Sequence, residues 1–413
     1  MMRKTILSLL LALPVGCTAQ ELTLDGCRQA AHDNYPAIKQ YRMVESMRDF
    51  NVSNAAKGWL PQVSVSAGGY AFTDIISGSG QTGLDMKNLV ANGAVTLRQN
   101  IYDGGRIAAA KQLSKAQADV QQRQLDVSMH EVGERVEQLF FGILTLDEQL
   151  RQNQLLQDDL KLSANTVGSL MRSGMANQSD LDAVSVEQAK AEQQADGLFD
   201  MRQAYLQMLC TFTGRPFSET ITLQKPGMTL PGSKDTWGLN RPEMGFYNAQ
   251  NSLLDAQRKQ LDSRLRPTVG LTGMGMVHTS VSDFVNNGLL LGGISLSWNI
   301  GALYTRKNDL HKLDLQRQQN ESLRETFLFN NRLQNEREDG NISSLRRQIE
   351  KDGKIVTLRE RIRQTTERKV TMGTETVNEL LRCINAASMA RQQQSLHELQ
   401  LLQAMYHRET INN

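Results

Sequence analysis

The sequence contains little cysteine, proline or aromatic residue. Its 413 residues include 4 Cys, 8 Pro and 5 % Phe, Trp and Tyr, with 39 % hydrophobic and 22 % charged residues. So few cysteines exclude a disulfide scaffold, and this apolar content excludes an intrinsically disordered chain. The length predicts two or three ordinary domains, or one large domain if the elements are long.

The sequence also lacks an excess of either charge. There are 46 Lys and Arg against 44 Asp and Glu. Without Arg3 and Lys4 the counts become 44 and 44. This balance excludes the basic excess that is typical of nucleic-acid-binding proteins.

The first 19 residues have the three parts of an export signal. Arg3 and Lys4 are basic, residues 6–13 are apolar, and Cys17, Thr18 and Ala19 are small. Because residues 6–13 are far fewer than the roughly 20 that a membrane-spanning helix needs, we expect a signal peptide over residues 1–19 and not an anchor.

Two properties of this signal bear on cysteine chemistry. Gly16 suits the cleavage of a lipoprotein signal before Cys17, whereas Pro14 does not, so acylation of Cys17 stays an alternative to cleavage after Ala19. Cleavage after Ala19 leaves three scattered cysteines, an odd number that argues against a disulfide framework.

No later stretch reaches the length of a transmembrane helix, so any entry into a membrane must use strands.

The two halves of the chain repeat each other. Residues 93–101 (GAVTLRQNI) recur as residues 292–300 (GGISLSWNI), an offset of 199 that also carries Gly174 onto Gly373. Residues 60–65 match residues 266–271 at an offset of 206. A period near 200 is too long for a solenoid, so we interpret the chain as two structural repeats, residues 20–213 and 242–413, joined by a bridge of residues 214–241.

Each repeat contains two segments that alternate between apolar and polar residues, which is typical of strands with one apolar face. They predict strands at residues 62–73 and 89–101, and again at 268–278 and 288–300. Polar loops are expected at residues 77–80 and 282–288. In the first strand of each pair the apolar positions change phase, at Tyr70 and at Met274, which indicates a bulge or a change of environment.

The remaining segments are predicted to be helices of unusual length. No proline occurs between Pro61 and Pro216 or after Pro267, so residues 105–173 and 302–372 can each form one helix of about 100 Å. The glycines Gly174 and Gly373 then predict turns into return helices at residues 177–211 and 376–410. One helix from residue 23 to about 58 and one helix after residue 242 are expected to precede the strand pairs.

Catalytic and cofactor-binding patterns are weak. The six histidines have no metal-binding spacing, and no glycine-rich phosphate loop is followed by Lys-Ser or Lys-Thr. We expect all six histidines at the surface. The adjacent acids Asp158-Asp159 and Glu338-Asp339 diverge on a helix and are expected on solvated faces. The sequence therefore predicts neither an enzyme nor a bound cofactor or metal.

Together these features resemble the TolC-like outer-membrane efflux channel family. The residues that carry the resemblance are Leu22-Thr23-Leu24, the sequence NIYDGG of residues 100–105, and the two glycine turns. The resemblance implies a mainly α fold with a small β part, in which very long coiled-coil helices accompany four strands per protomer. In a homotrimer these strands form a 12-stranded transmembrane β-barrel that is continued by an α-helical periplasmic tunnel.

The resemblance also implies two functional sites. The helix turns would be hairpin tips that contact the adaptor protein; their residues are Arg172, Ser173, Gly174, Met175, Met372, Gly373 and Thr374. The alternative is that each glycine is only a helix cap. Glu379 matches the first acidic position of the family's tunnel constriction, whereas Arg382 stands where a second acid can occur. A ring of charge at a narrow pore controls ion passage, and Arg382 beside Glu379 departs from an all-acidic ring. The alternative is that both residues lie on a solvated helix face.

The function implied is that of a passive exit duct. An outer-membrane channel of a tripartite efflux or type I secretion system would release small molecules or polypeptides, driven by an inner-membrane pump through a periplasmic adaptor. The alternative is a periplasmic coiled-coil interaction or spacer protein without a pore. An exported enzyme with a dispersed site is the third interpretation.

Overall fold

A computed structural model of the chain describes residues 22–71, 89–218, 221–227, 240–280 and 283–412. The expected signal peptide with Cys17, the predicted loop at residues 77–80 and much of the bridge lie outside the described residues. Among the helices of the described residues, none is long and apolar enough to cross a membrane.

The described chain is mainly helical with four strands, which confirms the predicted fold class. The elements are α1 (Leu24–Asn34), α2 (Ile38–Ala56), a 3-10 turn (Lys57–Trp59), β1 (Gln62–Ala71), β2 (Leu89–Tyr102), α3 (Arg106–Arg172), α4 (Gln178–Thr213), α5 (Pro242–Arg264), β3 (Thr268–Ser280), β4 (Asp283–Ser297), α6 (Ala302–Thr371) and α7 (Val377–Asn412). Helices α3 and α6 have 67 and 70 residues.

The first helix differs from its prediction because it is broken at Pro36. Helix α1 ends before Tyr35, whose ψ of 132° is extended, and α2 begins at Ile38. A proline disfavours the helical conformation in the residue before it and lacks an amide hydrogen, so one continuous helix from residue 23 to 58 cannot form here.

The last strand also differs from its prediction. Strand β4 begins at Asp283 and not at residue 288, so the predicted loop at 282–288 is wrong from Asp283 onward. The strand ends at Ser297, and Trp298 lies beyond it, where its indole Nε1 donates a hydrogen bond to the carbonyl of Leu265 at 2.8 Å.

The phase change in the first strand of the second repeat is a change of environment and not a bulge. The pairing of β3 with β4 is continuous from Thr268 to His278, and it places Met274 opposite Leu291 and Met276 opposite Leu289. These four apolar residues share the otherwise polar face of the sheet. The pairing of β1 with β2 is likewise continuous from Gln62 to Ala71.

The chain divides into two compact units, and each takes segments from both sequence repeats. The first unit comprises residues 1–38, 129–239 and 331–413, and the second comprises residues 39–128 and 240–330. The described residues of the first unit form three hydrophobic clusters, of which two are large. One combines Phe140, Phe141, Leu209 and Leu402 with residues of α1, and the other lies beside the turns at Gly174 and Gly373.

The second unit contains the sheet, in which strands are ordered β1-β2-β3-β4 and every neighbouring pair is antiparallel. At the junction of β2 with α3, both oxygens of the Asp103 carboxylate are used. They accept hydrogen bonds from the backbone amides of Gly105 at 2.8 Å and Ile107 at 2.6 Å. Gly104 has a φ of +68°, and a Cβ there would lie 2.8 Å from that of Arg266. The aspartate and glycine of the NIYDGG sequence therefore form the cap that starts α3.

Candidate functional site: the helix turns and the apolar sheet face

The turn after α3 is a Schellman motif. Gly174 has a φ of +76°. Its amide donates to the carbonyl of Met171 at 3.0 Å, and the amide of Met175 donates to the carbonyl of Leu170 at 2.8 Å. These two bonds satisfy carbonyls that the end of a helix leaves unpaired. Helix α4 then starts with a capping box between Asn177 and Asp180.

The turn after α6 has the same geometry. Gly373 has a φ of +71°. Its amide donates to the carbonyl of Val370 at 3.0 Å, and the amide of Thr374 donates to the carbonyl of Lys369 at 2.9 Å. The two turns predicted from one repeated glycine are therefore built from the same pair of backbone hydrogen bonds.

Both turns rest on one hydrophobic cluster. It takes Leu170 from α3, Val184 from α4, Val370 from α6, and Val377 and Leu380 from α7. Because all four helices contribute, the two hairpins are held together at their turn ends. The seven predicted tip residues are exposed, and the side chains of Met175 and Met372 are 56 % and 74 % exposed.

The predicted constriction residues form an ion pair on the first turns of α7. Arg382 donates from Nε to Glu379 Oε2 at 2.8 Å and from Nη2 to Oε1 at 2.5 Å. These hydrogen bonds lower the pKa of the Glu379 carboxyl below its ordinary value and raise the pKa of Arg382. The pair presents a carboxylate whose negative charge is offset by a guanidinium that is largely exposed.

One face of the sheet in the second unit is apolar and exposed. Cross-strand pairing places Val65, Val95 and Leu290 on the same face, where their side chains are 76 %, 48 % and 86 % exposed. Further exposed apolar residues of this face are Val63, Leu97, Leu271, Val277, Ile294 and Leu296. A soluble protein rarely exposes so large a continuous apolar surface, which marks a membrane or protein contact.

The opposite face of the sheet is polar along β1 and β2, where Ser64, Ser66 and Arg98 are exposed. Four aromatic residues lie near the end of the sheet where β1 and β3 begin: Trp59, Tyr102, Trp298 and Tyr304, all at least 41 % exposed. Exposed Trp and Tyr beside an apolar band are typical of the boundary between lipid and water.

The outer edges of the sheet are open. Strand β1 pairs only with β2, and β4 pairs only with β3, among the strands of the described residues. Backbone groups along such edges must pair with another strand if they are to enter lipid.

Several charged residues of the first unit have partners that sequence reasoning missed. Asp159 was expected on a solvated face, but it accepts a hydrogen bond from Arg391 at 2.6 Å and has Arg363 at 3.8 Å. His397 was expected at the surface. Its side chain is only 14 % exposed, and its Nδ1 lies 2.6 Å from Asp352 Oδ2. These partners are 45 residues or more apart in sequence, so helical periodicity gave no signal for them.

Metal-binding geometry is not found in the described part of the chain. No group of three or more His, Cys, Asp or Glu there is placed to hold a metal ion. The cysteines Cys27, Cys210 and Cys383 are free, and burial raises the pKa of the Cys27 thiol to about 12. A thiol with so high a pKa is a poor nucleophile and metal ligand.

Comparison with known proteins agrees with this geometry. A family model described as outer membrane efflux protein matches residues 27–215. None of the curated proteins matches the chain in sequence.

Solved channel structures match nearly the whole chain. The outer-membrane channel OprN has a TM-score of 0.71 at 13 % identity, with 94 % of this chain and 90 % of that chain covered. The CmeC outer membrane channel of Campylobacter jejuni has a TM-score of 0.67 at 14 % identity, with 94 % and 84 % covered. The outer membrane protein VceC of Vibrio cholerae has a TM-score of 0.67 at 11 % identity, with 93 % and 95 % covered. The outer membrane efflux protein model thus matches the sequence of residues 27–215, and the fold of nearly the whole chain is similar to that of solved outer-membrane channels.

Proposed function

We propose that this chain is the outer-membrane exit channel of a tripartite efflux or type I secretion system. One observation carries this proposal. The four-stranded sheet exposes an apolar face and has two open edges, among them that of β4, whose Leu290 side chain is 86 % exposed. Four strands cannot close a barrel alone, because their edge groups would stay unpaired in lipid.

The proposed assembly is a homotrimer. Three copies give 12 strands, and joining the β4 edge of one copy to the β1 edge of the next removes every open edge. The barrel would lie in the bacterial outer membrane, with Val65, Val95 and Leu290 facing lipid, and the helices would form a tunnel in the periplasm.

We propose that the exposed turns contact a periplasmic adaptor that is coupled to an inner-membrane pump. Support comes from their shared geometry, since a Schellman turn on a common hydrophobic cluster presents Met175 and Met372 on a rigid base. Exposed methionines suit protein contacts because their side chains adapt to different partners. The transport step needs no cofactor and no catalytic residue in this proposal, since the pump supplies the energy.

The test combines conductance with cross-linking. Purified full-length protein in detergent should form trimers that conduct ions in planar bilayers. Variants Ser173→Cys and Met372→Cys should cross-link to the adaptor encoded with the pump, whereas Gln154→Cys, an exposed position of α3 20 residues before Gly174, should not. A protein that osmotic shock releases as a water-soluble monomer would instead be the periplasmic spacer.

A further inference from the structure

A cavity of about 570 Å³ lies in the second unit, beyond the end of the sheet from which α3 and α6 continue. It is formed by the first residue of α3, the last turn of α5, and the residues that join β4 to α6. Three exposed arginines line it, one from each of these helices: Arg106, Arg264 and Arg306. The fold thus brings together guanidinium groups that are far apart in sequence.

The charge of this cavity is positive. Arg306 is paired with Asp262, whose Oδ1 lies 3.2 Å from the arginine Nη2. Arg106 donates to the backbone carbonyl of Arg264 at 3.4 Å, and among the described residues no carboxylate pairs with the guanidinium of either. Asp309 is the one acid that the described lining contains. Three arginines against Asp262 and Asp309 leave a positive charge that the nearby acids do not neutralise.

The other polar groups of the cavity are suited to an anion. Asn299 and Thr305 line it, and their side-chain amide and hydroxyl can donate hydrogen bonds. Ala302, the first residue of α6, lines it as well. The first turn of α6 has no acidic residue, so the positive end of this helix is not offset there. Since guanidinium groups bind phosphate through paired hydrogen bonds, a phosphate group fits the chemistry of this cavity.

The position of the cavity relative to the apolar sheet face indicates a lipid as the source of the phosphate. Leu296, near the end of β4, belongs to this face and is 72 % exposed. Asn299 follows it by three residues, at most about 10 Å of extended chain. The headgroup region on each side of the hydrocarbon core of a bilayer is about 5–8 Å thick. Because barrel strands are tilted, the cavity lies at the level of the lipid phosphates.

Apolar and aromatic side chains border the cavity toward the sheet. Trp298 lies two residues after Leu296, and its indole donates to the carbonyl of Leu265, which lines the cavity. Ile300 and Leu303, on either side of two lining residues, are 52 % and 50 % exposed. A free phosphate ion has no use for such neighbours, whereas the acyl chains of a phospholipid bury them.

We propose that this cavity binds the phosphate of an anionic phospholipid of the phosphatidylglycerol type, from the periplasmic leaflet of the outer membrane. The inference rests on the proposed function, since it needs the sheet in that membrane and the helices in the periplasm. Arg106 and Arg264 hold the phosphate, and the acyl chains extend past Trp298 along the apolar face. A zwitterionic lipid binds less tightly, because its ammonium group meets a positive cavity. Each copy has one such site, so a trimer binds three lipids.

Native mass spectrometry of the full-length trimer in detergent tests this inference. Titration with phosphatidylglycerol should add up to three lipids, and phosphatidylethanolamine should bind about five-fold more weakly. Arg106→Gln combined with Arg264→Gln should lower the affinity for phosphatidylglycerol about 30-fold. The matched control is Lys115→Gln combined with Arg258→Gln, which removes exposed charges of the same two helices outside the cavity and should leave the affinity unchanged.

Two further measurements separate charge from folding and lipid from free phosphate. Arg106→Lys combined with Arg264→Lys keeps both charges and should bind phosphatidylglycerol more tightly than the glutamine pair, although it alters the same positions. Inorganic phosphate, added at the ionic strength of a chloride control, should not displace the lipid. Displacement by phosphate would identify a site for free anions and overturn the assignment to a lipid.

The outcomes distinguish this inference from the proposed function. Conducting trimers that bind the two lipids equally would overturn the inference and leave the channel intact. Conducting trimers whose affinity is unchanged by Arg106→Gln with Arg264→Gln would do the same. The absence of any trimer would overturn the proposed function together with the inference.

Discussion

Asp180 and Glu379 occupy equivalent positions in the two repeats, but only Asp180 closes a capping box. The Asp180 carboxylate accepts the amide of Asn177 at 3.0 Å, whereas the Glu379 carboxylate turns away to Arg382. The Glu379 backbone still donates to Thr376 Oγ1 at 3.2 Å, as a helix cap requires. The second repeat has thus kept the cap and directed its acid toward a neighbouring cation.

Arg382→Gln should make the proposed channel more selective for cations. Removing the guanidinium leaves Glu379 uncompensated and lets its lowered pKa rise toward the ordinary value. In planar bilayers under a salt gradient, the reversal potential should shift toward that of the cation. As pH falls, the variant should lose this selectivity at a higher pH than that at which Glu379 protonates in the original protein.

Two controls accompany this measurement. Glu379→Gln should shift the reversal potential in the opposite direction, and Lys161→Gln, an exposed cation on α3, should leave it unchanged. Equal reversal potentials for all variants would show that these residues are on a solvated helix face.

Val95→Arg should impair assembly into the membrane. Val95 lies on the apolar face, and an arginine at mid-bilayer on a barrel surface costs about 2–4 kcal/mol. The control is Ser66→Arg, one strand away on the opposite face, where the polar group would remain in water. Heat-modifiable trimer in isolated outer membranes is the measurement, and equal yields for both variants would contradict the assignment of the faces.

Gly174→Ala and Gly340→Ala should change stability in opposite directions. Gly174 has a positive φ, so a Cβ there costs about 1–2 kcal/mol although no atom lies within 4 Å. Gly340 lies inside α6, also with open space around it, so alanine should stabilise the helix by about 0.5–1 kcal/mol. Thermal unfolding followed by circular dichroism distinguishes the two signs.

The ionised carboxylate of Glu148 should stabilise the folded protein, and this stabilisation should be lost in acid. Burial alone would raise the pKa of its carboxyl, but hydrogen bonds from Arg151, Gln152 and Ser395 outweigh burial and lower that pKa to about 2. A lowered folded pKa means that the stabilisation is complete above the ordinary value of 4.5 and is lost as pH falls toward 2. The free energy of unfolding of Glu148→Gln should therefore depend less on pH between about 4.5 and 2, and an unchanged pH dependence would refute this role.

Glu137→Ala should destabilise the contact between α1, α3 and α7. The Glu137 carboxylate is buried and accepts hydrogen bonds from Arg28 and from Thr410 Oγ1, the latter at 2.7 Å. Truncation leaves both donors without this acceptor, which costs about 1–3 kcal/mol. Glu137→Gln keeps one acceptor oxygen and should cost less in denaturant unfolding, so an equal loss for both would indicate packing and not hydrogen bonding as the cause.

Local sequence determined the elements of this fold. The alternation of apolar and polar residues around Val95 specifies a strand with one apolar face, because successive side chains of a strand point to opposite sides of the sheet. Glycines such as Gly174 specify a helix end, because only a residue without Cβ adopts the left-handed conformation at no cost. These causes act within a few residues, so they can be read from one repeat and checked against the other.

Tertiary structure decided which surfaces are buried and which charges meet. Asp159 and Arg391 are 232 residues apart, and the placement of Met274 opposite Leu291 depends on the register between two strands. Such pairs form because packing brings distant helices and strands together, and the resulting burial makes a hydrogen bond or an apolar neighbour favourable. The sequence by itself therefore specified long helices, turns and a sheet with one apolar face. Only the packing of those elements decided which of them contact each other.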